Sequence, residues 1–222
     1  MKKLVAATAI IAALAGAGSA DAALYISQIY GGGGATAAAP LYSNDWVQLY
    51  NSGATGINLS GYSLQYASAT NLTTFGLTHA LTGTIASNSY FLIQESRGTG
   101  LTGTAADPIY NQTGGALALS ATTGKIALFS TTAIGASTVA TSANLVDLVG
   151  FGTTANFSLY PKMTSNLSTT TSALRTTDAL GAVTFVAGTP TPNPVAATPI
   201  PAAAWLLGSG LLGLFGIRRR NI

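Results

Sequence analysis

The sequence predicts an all-β chain that folds as a two-sheet antiparallel β-sandwich. About seven short segments rich in Val, Ile, Tyr and Phe are separated by Gly, Asn, Ser and Thr turns, a pattern typical of antiparallel strands. No amphipathic helix of convincing length lies between Ala23 and Ala197. This region has the length of one domain, and seven strands at this spacing indicate a sandwich. The chain has no cysteine, so its core has to form without disulfides.

The strands are predicted in chain order from alternation and from β-branched or aromatic content. Leu24–Tyr30 alternates most clearly, and residues 72–81 are expected to add an edge strand. Residues 99–115 and 131–143 are predicted to be long loops. The other strands are predicted over residues 46–50, 62–67, 90–94, 125–129, 145–151 and 183–186.

The N-terminus has the three parts of a secretory signal peptide. Two lysines precede an apolar run over residues 4–15, and small residues follow it. Signal peptidase recognises this order of features. Residues 1–22 are therefore predicted to be removed, which leaves residues 23–188 as the folded domain. The predicted cleavage region consists of Ala20, Ala22 and Ala23.

The C-terminus predicts a transmembrane helix that follows a proline-rich linker over residues 189–201. Residues 202–217 carry no charge. As a helix they would span about 24 Å, slightly less than a hydrocarbon core. Residues 218–222 begin with three arginines, which cross a bilayer poorly and stay on the cytoplasmic side. The alternative is a buried C-terminal core helix, and the arginine cluster argues against it.

The charge of the chain is concentrated at its ends. The net charge is +3, but five of the nine basic residues lie in the two terminal segments. The region between them carries four basic and five acidic residues and is therefore close to −1. Nucleic-acid-binding proteins normally have a basic patch that displaces counterions. The scattered cations argue against a nucleic-acid partner.

The C-terminal tail resembles the sorting signals called PEP-CTERM, and more closely their Val-Pro-Leu-Pro-Ala (VPLPA) variant. In that family an integral-membrane exosortase is thought to remove the tail in Gram-negative bacteria with exopolysaccharide systems. Ile200 stands where the best-known form has Glu, which leaves open which enzyme reads the signal. The residues that carry the resemblance are Pro199, Ile200, Pro201, Ala202, Trp205, Gly208, Ser209, Gly210, Arg218, Arg219 and Arg220.

The central region resembles the lamin-tail domain in its bacterial secreted form. The family pattern is roughly Asp-aromatic-Ile-Glu-Leu-Tyr-Asn, followed by Asp-Leu-Ser-Gly-Trp-x-Leu. The resemblance implies an immunoglobulin-like sandwich without established catalytic activity. Gln48 replaces the usual Glu and Tyr62 the usual Trp. If that Glu binds an ion or a partner in the family, the replacement by Gln48 would remove the site. The matching positions are Asp45, Trp46, Gln48, Leu49, Tyr50, Asn51, Leu59, Ser60, Gly61 and Tyr62.

The remaining polar and aromatic residues offer few candidate sites. His79 is the sole histidine and is predicted to face solvent, because a triad or a zinc site would need further partners. Asp147 is predicted to be paired or exposed, with Arg175 as its best distant partner. Paired carboxylates could bind calcium or cleave glycosides, but Asp45, Glu95, Asp107 and Asp147 are far apart in sequence. Seven aromatic residues could form a sugar-stacking face, although core packing is favoured: Tyr42, Tyr50, Tyr62, Tyr66, Tyr90, Tyr110 and Phe91.

These observations predict a non-enzymatic, exported protein of the cell surface or extracellular matrix, with no metal or cofactor. Its expected partners are signal peptidase, an exosortase-type enzyme, the inner membrane through the C-terminal helix, and extracellular polysaccharide or matrix proteins. The alternatives are an accessory module or weak hydrolase for extracellular phosphoesters or polysaccharide, and an extracellular DNA-binding module. An enzyme needs converging ionisable groups, and this region has only nine Asp, Glu, Lys and Arg residues and one His.

Overall fold

The computed structural model describes residues 24–36, 38–136, 143–178 and 181–192. In these ranges the chain is all-β, with eleven strands and no helix. The strands are β1 (Leu24–Tyr30), β2 (Trp46–Asn51), β3 (Ile57–Asn58), β4 (Ser63–Ala67), β5 (Leu77–Ala80), β6 (Thr84–Ile85), β7 (Ser89–Gln94), β8 (Gly124–Phe129), β9 (Leu145–Phe151), β10 (Ser172–Thr177) and β11 (Val183–Gly188).

The strands form two larger sheets and one small one. The first sheet has the order β11-β10-β1-β2-β7, and the second has the order β5-β4-β8-β9. Strands β3 and β6 form a two-stranded ribbon. Every pairing between these strands is antiparallel. The arrangement is consistent with an immunoglobulin-like β-sandwich.

The main core lies between the two larger sheets. Val47 and Leu49 of β2 belong to the same buried cluster as Leu64 of β4 and Ile126 of β8. Strict alternation along β1 would place Ile26 and Ile29 on opposite faces, yet both belong to this cluster. The register shift between Ile26 and Gln28 brings both side chains to the same face, because a β-bulge inserts one residue and resets the alternation.

The seven predicted strands are all present, with ends shifted by up to two residues. Of the predicted edge strand over residues 72–81, only β5 forms, and it lies at the edge of the second sheet. The predicted loop over residues 99–115 contains a single isolated bridge, at Gln112. Residues 189–192 begin the predicted linker. The Gln28 side chain donates from Nε2 to the Thr191 carbonyl, and the Thr191 amide donates to Gln28 Oε1.

Strand β10 was not predicted from the sequence. It is an interior strand of the first sheet and lies between β1 and β11. Ala173 is buried in the core, but Arg175 follows it two residues later. A charged residue at a position expected to be apolar hides the period-2 pattern that identifies strands.

The predicted signal peptide (1–22), most of the linker, the predicted membrane helix and the basic end lie outside the described residues. The same holds for every residue of the cleavage region and of the sorting motif. Among the residues that the structure does describe, no helix is long and apolar enough to cross a membrane.

Candidate functional site

The first half of the lamin-tail motif builds strand β2 and its following turn. Gln48 is completely buried, and its amide donates to Ser27 Oγ over 3.1 Å, while Ser27 donates to the Gln48 carbonyl over 3.0 Å. Asn51 donates to the carbonyls of Thr55 and Ala86. These contacts give both polar motif residues a structural role, since buried polar groups require such partners.

The second half of the motif builds the turn that leads into β4. Leu59 is fully buried in the core, and the Tyr62 amide closes the turn by donating to its carbonyl. Gly61 has a φ of 91°, a left-handed conformation that favours glycine. Tyr62 packs partly buried against the core. The motif therefore specifies fold geometry rather than a constellation of reactive groups.

Asp45 anchors two loops at one end of the first sheet. It is almost fully buried, and its carboxylate accepts from the amides of Gly33 and Leu119 over 2.8 and 2.9 Å. The bond to Leu119 joins segments 74 residues apart, so Asp45 does more than cap its own loop. Burial raises the pKa of Asp45 to about 8, against the lowering effect of its amide partners.

Glu95 and His79 join the edges of the two sheets close to Asp45. The His79 Nδ1 and Glu95 Oε1 atoms are 2.7 Å apart, and the Leu117 amide donates to Glu95 Oε2. His79 Nε2 lies 2.9 Å from the Gln112 amide nitrogen. The prediction that His79 faces solvent was therefore wrong: it lies within β5, with only 10% of its side chain exposed. Burial raises the pKa of Glu95, and His79 opposes the shift.

The buried carboxylates predict an unusual dependence of stability on pH. Burial raises the pKa of Asp45 from 3.8 to about 8, so the folded chain binds more protons than the unfolded chain between these values. The free energy of unfolding should therefore fall as pH rises through this window. We expect the melting temperature to decrease from pH 5 to pH 8, as measured by circular dichroism.

The variant Asp45→Asn serves as the control for this pH experiment. It removes the ionisable group but keeps its size, so it should flatten the decrease even if it lowers stability overall. Glu95 and Asp147, whose pKa values burial also raises, would contribute a residual slope of the same sign. A melting temperature that rises between pH 5 and pH 8 would contradict the raised pKa values.

Lys125 is also used within the fold. It is fully buried, and its Nζ donates to the Asn71 carbonyl and to Asn156 Oδ1 over 2.6 and 2.8 Å. The ammonium lies 5.4 Å from the centre of the Phe157 ring. These contacts tie the loops on both sides of the second sheet to its outer face, and they satisfy a charge that would otherwise be costly to bury.

A groove opens where strands β1 and β10 separate. The two strands pair only at Gln28 with Leu174 and at Ile29 with Ala173. Arg175 fills the gap beyond these pairs and donates from Nη1 to Asp147 Oδ2 over 3.4 Å and to the Tyr160 hydroxyl over 2.8 Å. Of the two predicted alternatives for Asp147, paired or exposed, the structure shows the paired one, and the partner is the predicted candidate Arg175.

Asp147 is the anchor of this region. It is 1% exposed and accepts hydrogen bonds at both oxygens. The Ile26 amide donates to Oδ2, and the Tyr160 hydroxyl and the Leu148 amide donate to Oδ1. Because Ile26 belongs to the first sheet and Asp147 to the second, this carboxylate closes one side of the sandwich.

Three tyrosines form a row beside Arg175 on the outer face of the first sheet. The register pairs Tyr25 with Tyr50 and Tyr50 with Tyr90. Their ring centres are 5.5 and 4.6 Å apart. The Arg175 guanidinium lies 4.1 Å from the Tyr25 ring centre. We call Tyr25, Tyr50 and Tyr90 the tyrosine row.

The groove consists of two adjoining cavities that share Tyr25, Arg175 and Thr177. The larger has a volume of about 500 Å³ and extends past Asp147 and Tyr160. The smaller has a volume of about 170 Å³ and extends along the tyrosine row. Their combined size lies within the usual range for small-molecule sites. The groove is therefore the candidate binding site.

The structure separates most of the other predicted candidates. Asp45 and Glu95 lie near each other, but Asp107 bonds to the Ser43 amide and Asp147 lies in the groove. No group of three or more His, Asp and Glu side chains among the described residues could hold a metal ion. Of the seven candidate aromatic residues, Tyr50 and Tyr90 line the groove. The others pack in or against buried clusters, namely Tyr42, Tyr62, Tyr66, Tyr110 and Phe91.

Tyr25 was not among the aromatic candidates predicted from the sequence. Its position in β1, directly beside Tyr50, follows from long-range strand pairing. Alternation along β1 could have indicated an outward side chain at Tyr25, but no local pattern reveals its neighbours on other strands.

Comparison with known proteins agrees with this architecture. No curated protein matches the chain significantly. A solved structure of a DUF4876 family protein from Bacteroides thetaiotaomicron is similar, with a TM-score of 0.52 and 11% sequence identity. The similarity covers 81% of this chain and 75% of the other chain, and it concerns the fold alone.

The family comparison covers the motif positions discussed above. The sequence model described as Lamin Tail Domain matches residues 17–152, which is more than half of the chain. The match includes the two halves of the motif and strands β1 to β9, and the chain belongs to the lamin tail domain family.

Proposed function

We propose that this lamin tail domain protein is a non-enzymatic, exported protein of the cell surface or extracellular matrix. Its β-sandwich has a structural, adhesive or binding role outside the cell. Signal peptidase removes the N-terminal segment, and an exosortase-type enzyme processes the C-terminal sorting signal at the inner membrane. The bacterium is Gram-negative, and the partners of the mature protein are extracellular polysaccharide or matrix proteins.

The observation that carries the non-enzymatic part is the use of buried charges within the fold. In the described ranges, Asp45, Glu95 and Asp147 accept from backbone amides, while Lys125 and Arg175 donate to nearby oxygens. A hydrolase needs a nucleophile or a general base that is available to substrate in a cleft. The Asp147 carboxylate in the groove is already occupied by four donors.

The observations that support export come from the two chain ends. The lysine pair followed by an apolar run and small residues is the pattern of a secretory signal. The uncharged stretch over residues 202–217, closed by three arginines, is suited to a membrane helix with a cytoplasmic end. A chain without cysteine does not depend on the redox state of its destination.

Intact-mass measurement of the native protein tests this proposal. We expect protein from the cell envelope and the culture medium to lack residues 1–22, and the matrix form to lack the segment beyond about residue 198. Surface labelling of whole cells should reach the same protein, while a cytoplasmic marker stays unlabelled. A full-length chain found only in the cytoplasm would refute the proposal. A processed N-terminus with an intact C-terminal tail would refute the sorting step alone.

A further inference from the structure

The guanidinium of Arg175 has a donor edge that the fold does not use. All of its hydrogen bonds leave from Nη1, toward Asp147, Tyr160 and the Ile26 carbonyl. Within the described residues Nη2 and Nε make no hydrogen bond, and 17% of the side chain is exposed. Because Arg175 lines both cavities, this second edge is available to a ligand. A pair of parallel N–H groups is the geometry that binds a carboxylate in bidentate fashion.

Aromatic rings hold this guanidinium in place. Its carbon lies 4.1 Å from the ring centre of Tyr25 and 4.7 Å from that of Tyr160. The Phe185 ring centre is 5.8 Å away. Three cation–π contacts and an ion pair fix the side chain before any ligand arrives. Such preorganisation reduces the entropy cost of binding.

The tyrosine row lies next to this cation, and its neighbouring rings are tilted by 49° and 46° to each other. It crosses three neighbouring strands, β1, β2 and β7, and therefore extends over about 10 Å. The three hydroxyls make no hydrogen bond to the described residues, so each can donate to or accept from a ligand. Flat rings with free hydroxyls suit pyranose sugars, whose C–H groups lie on the negative face of an aromatic ring.

Other polymers fit these features less well. A peptide that adds a strand needs a free sheet edge. Tyr90 lies on the edge strand β7, but Leu92 and Gln94 of that strand already bond to Asn111 and Gln112. Where β1 separates from β10, the backbone of Ile26 already bonds to Asp147 and Arg175. Single-stranded nucleic acid also stacks on aromatic rings, yet it needs a positively charged path along its backbone. Arg175 is the sole cation that lines the described groove, and Asp147 balances its charge.

We infer that this groove binds a polysaccharide containing uronic acid, with pyranose rings on the tyrosine row and one carboxylate on the free edge of Arg175. The inference rests on the proposed function, because only an exported protein would meet such a polymer. In this geometry a sugar ring stacks on Tyr50 and Tyr90, and a carboxylate of the polymer accepts two hydrogen bonds from Arg175. Asp147 holds the opposite edge of the guanidinium and does not contact the sugar.

Isothermal titration of the intact protein with a hexamer of galacturonic acid tests this inference. Its methyl ester has the same rings without charge and serves as the matched ligand. We expect the acid to bind and the ester to bind about tenfold more weakly, which corresponds to loss of one charged contact of about 1.4 kcal/mol. Equal binding of acid and ester would overturn the carboxylate contact. Absence of binding to both, or stronger binding to an oligomer of deoxythymidine, would overturn the inference as a whole.

Variants test the tyrosine row and Arg175 separately. Tyr50→Ala and Tyr90→Ala should each weaken binding of the acid about five- to tenfold through lost ring contacts. Tyr62→Ala, at a partly buried tyrosine of the β3–β4 turn, should leave binding unchanged. Arg175→Lys keeps a cation beside Asp147 but removes the two-point contact, so it should reduce the preference for acid over ester. Unchanged binding in both row variants, at melting temperatures equal to the control, would contradict the inference.

The failure of this inference can be distinguished from failure of the proposed function. If surface labelling reaches the protein but neither hexamer binds, the protein is exported and the groove has been assigned the wrong ligand. If the protein is cytoplasmic, the proposed function fails regardless of the titration result.

Discussion

Replacing Asp147 with alanine is expected to lower the free energy of unfolding by about 3–5 kcal/mol, because it breaks a buried charge pair. The carboxylate accepts from the Ile26 amide over 2.8 Å, from the Tyr160 hydroxyl over 2.7 Å and from Arg175 over 3.4 Å. Its removal leaves the Ile26 amide and the Tyr160 hydroxyl without this acceptor and leaves Arg175 without its counter-ion, and unpaired buried groups carry the full cost of desolvation. The contact between the two sheets at β1 and β9 is lost at the same time.

Urea denaturation followed by tryptophan fluorescence would measure the effect of Asp147→Ala. Asp178→Ala is a suitable control, because Asp178 accepts from Ala182 in an exposed turn. This control should lower the free energy of unfolding by only about 1 kcal/mol, because an exposed hydrogen bond contributes little. Similar losses in the two variants would show that Asp147 is not the anchor described here.

The second large effect is expected at Trp46. Trp46→Ala should lower the free energy of unfolding by about 3–5 kcal/mol, the usual range for removing a buried aromatic side chain. Trp46 is completely buried under the loops that cover the outer face of the first sheet. Its ring stacks on Tyr30 at 5.6 Å and meets Tyr42 edge-on at 6.1 Å. The variant would leave a cavity that these rings cannot close.

Trp46→Phe distinguishes packing from hydrogen bonding at this position. The Trp46 indole N–H is buried and has no hydrogen-bond partner among the described residues. Phenylalanine removes this unpaired donor while it keeps an aromatic ring. The free energy of unfolding should therefore fall by only about 1 kcal/mol. Thermal melting monitored by circular dichroism compares the two variants. A phenylalanine variant as unstable as the alanine variant would contradict the packing interpretation.

The strand pattern was largely predictable because it depends on local chemistry. Segments such as Leu24–Tyr30 and Leu145–Phe151 combine apolar and β-branched content with flanking turn residues, and both form strands. The sequence offered Arg175 as the best candidate partner of Asp147, but only the structure decided between pairing and exposure of Asp147. Strand β10 was not predicted, because Arg175 occupies a position where an apolar residue was expected.

Local sequence determined the β-class of this protein, the location of most strands and the motif that identifies its family, because side-chain shape and turn chemistry act over a few residues. Only the tertiary structure decided the bulge in β1, the burial of His79 against Glu95 and the alignment of Tyr25 with Tyr50 and Tyr90. Each depends on the register between strands that are distant in sequence. One residue of shift would turn these side chains to the opposite face, and no local pattern specifies that register.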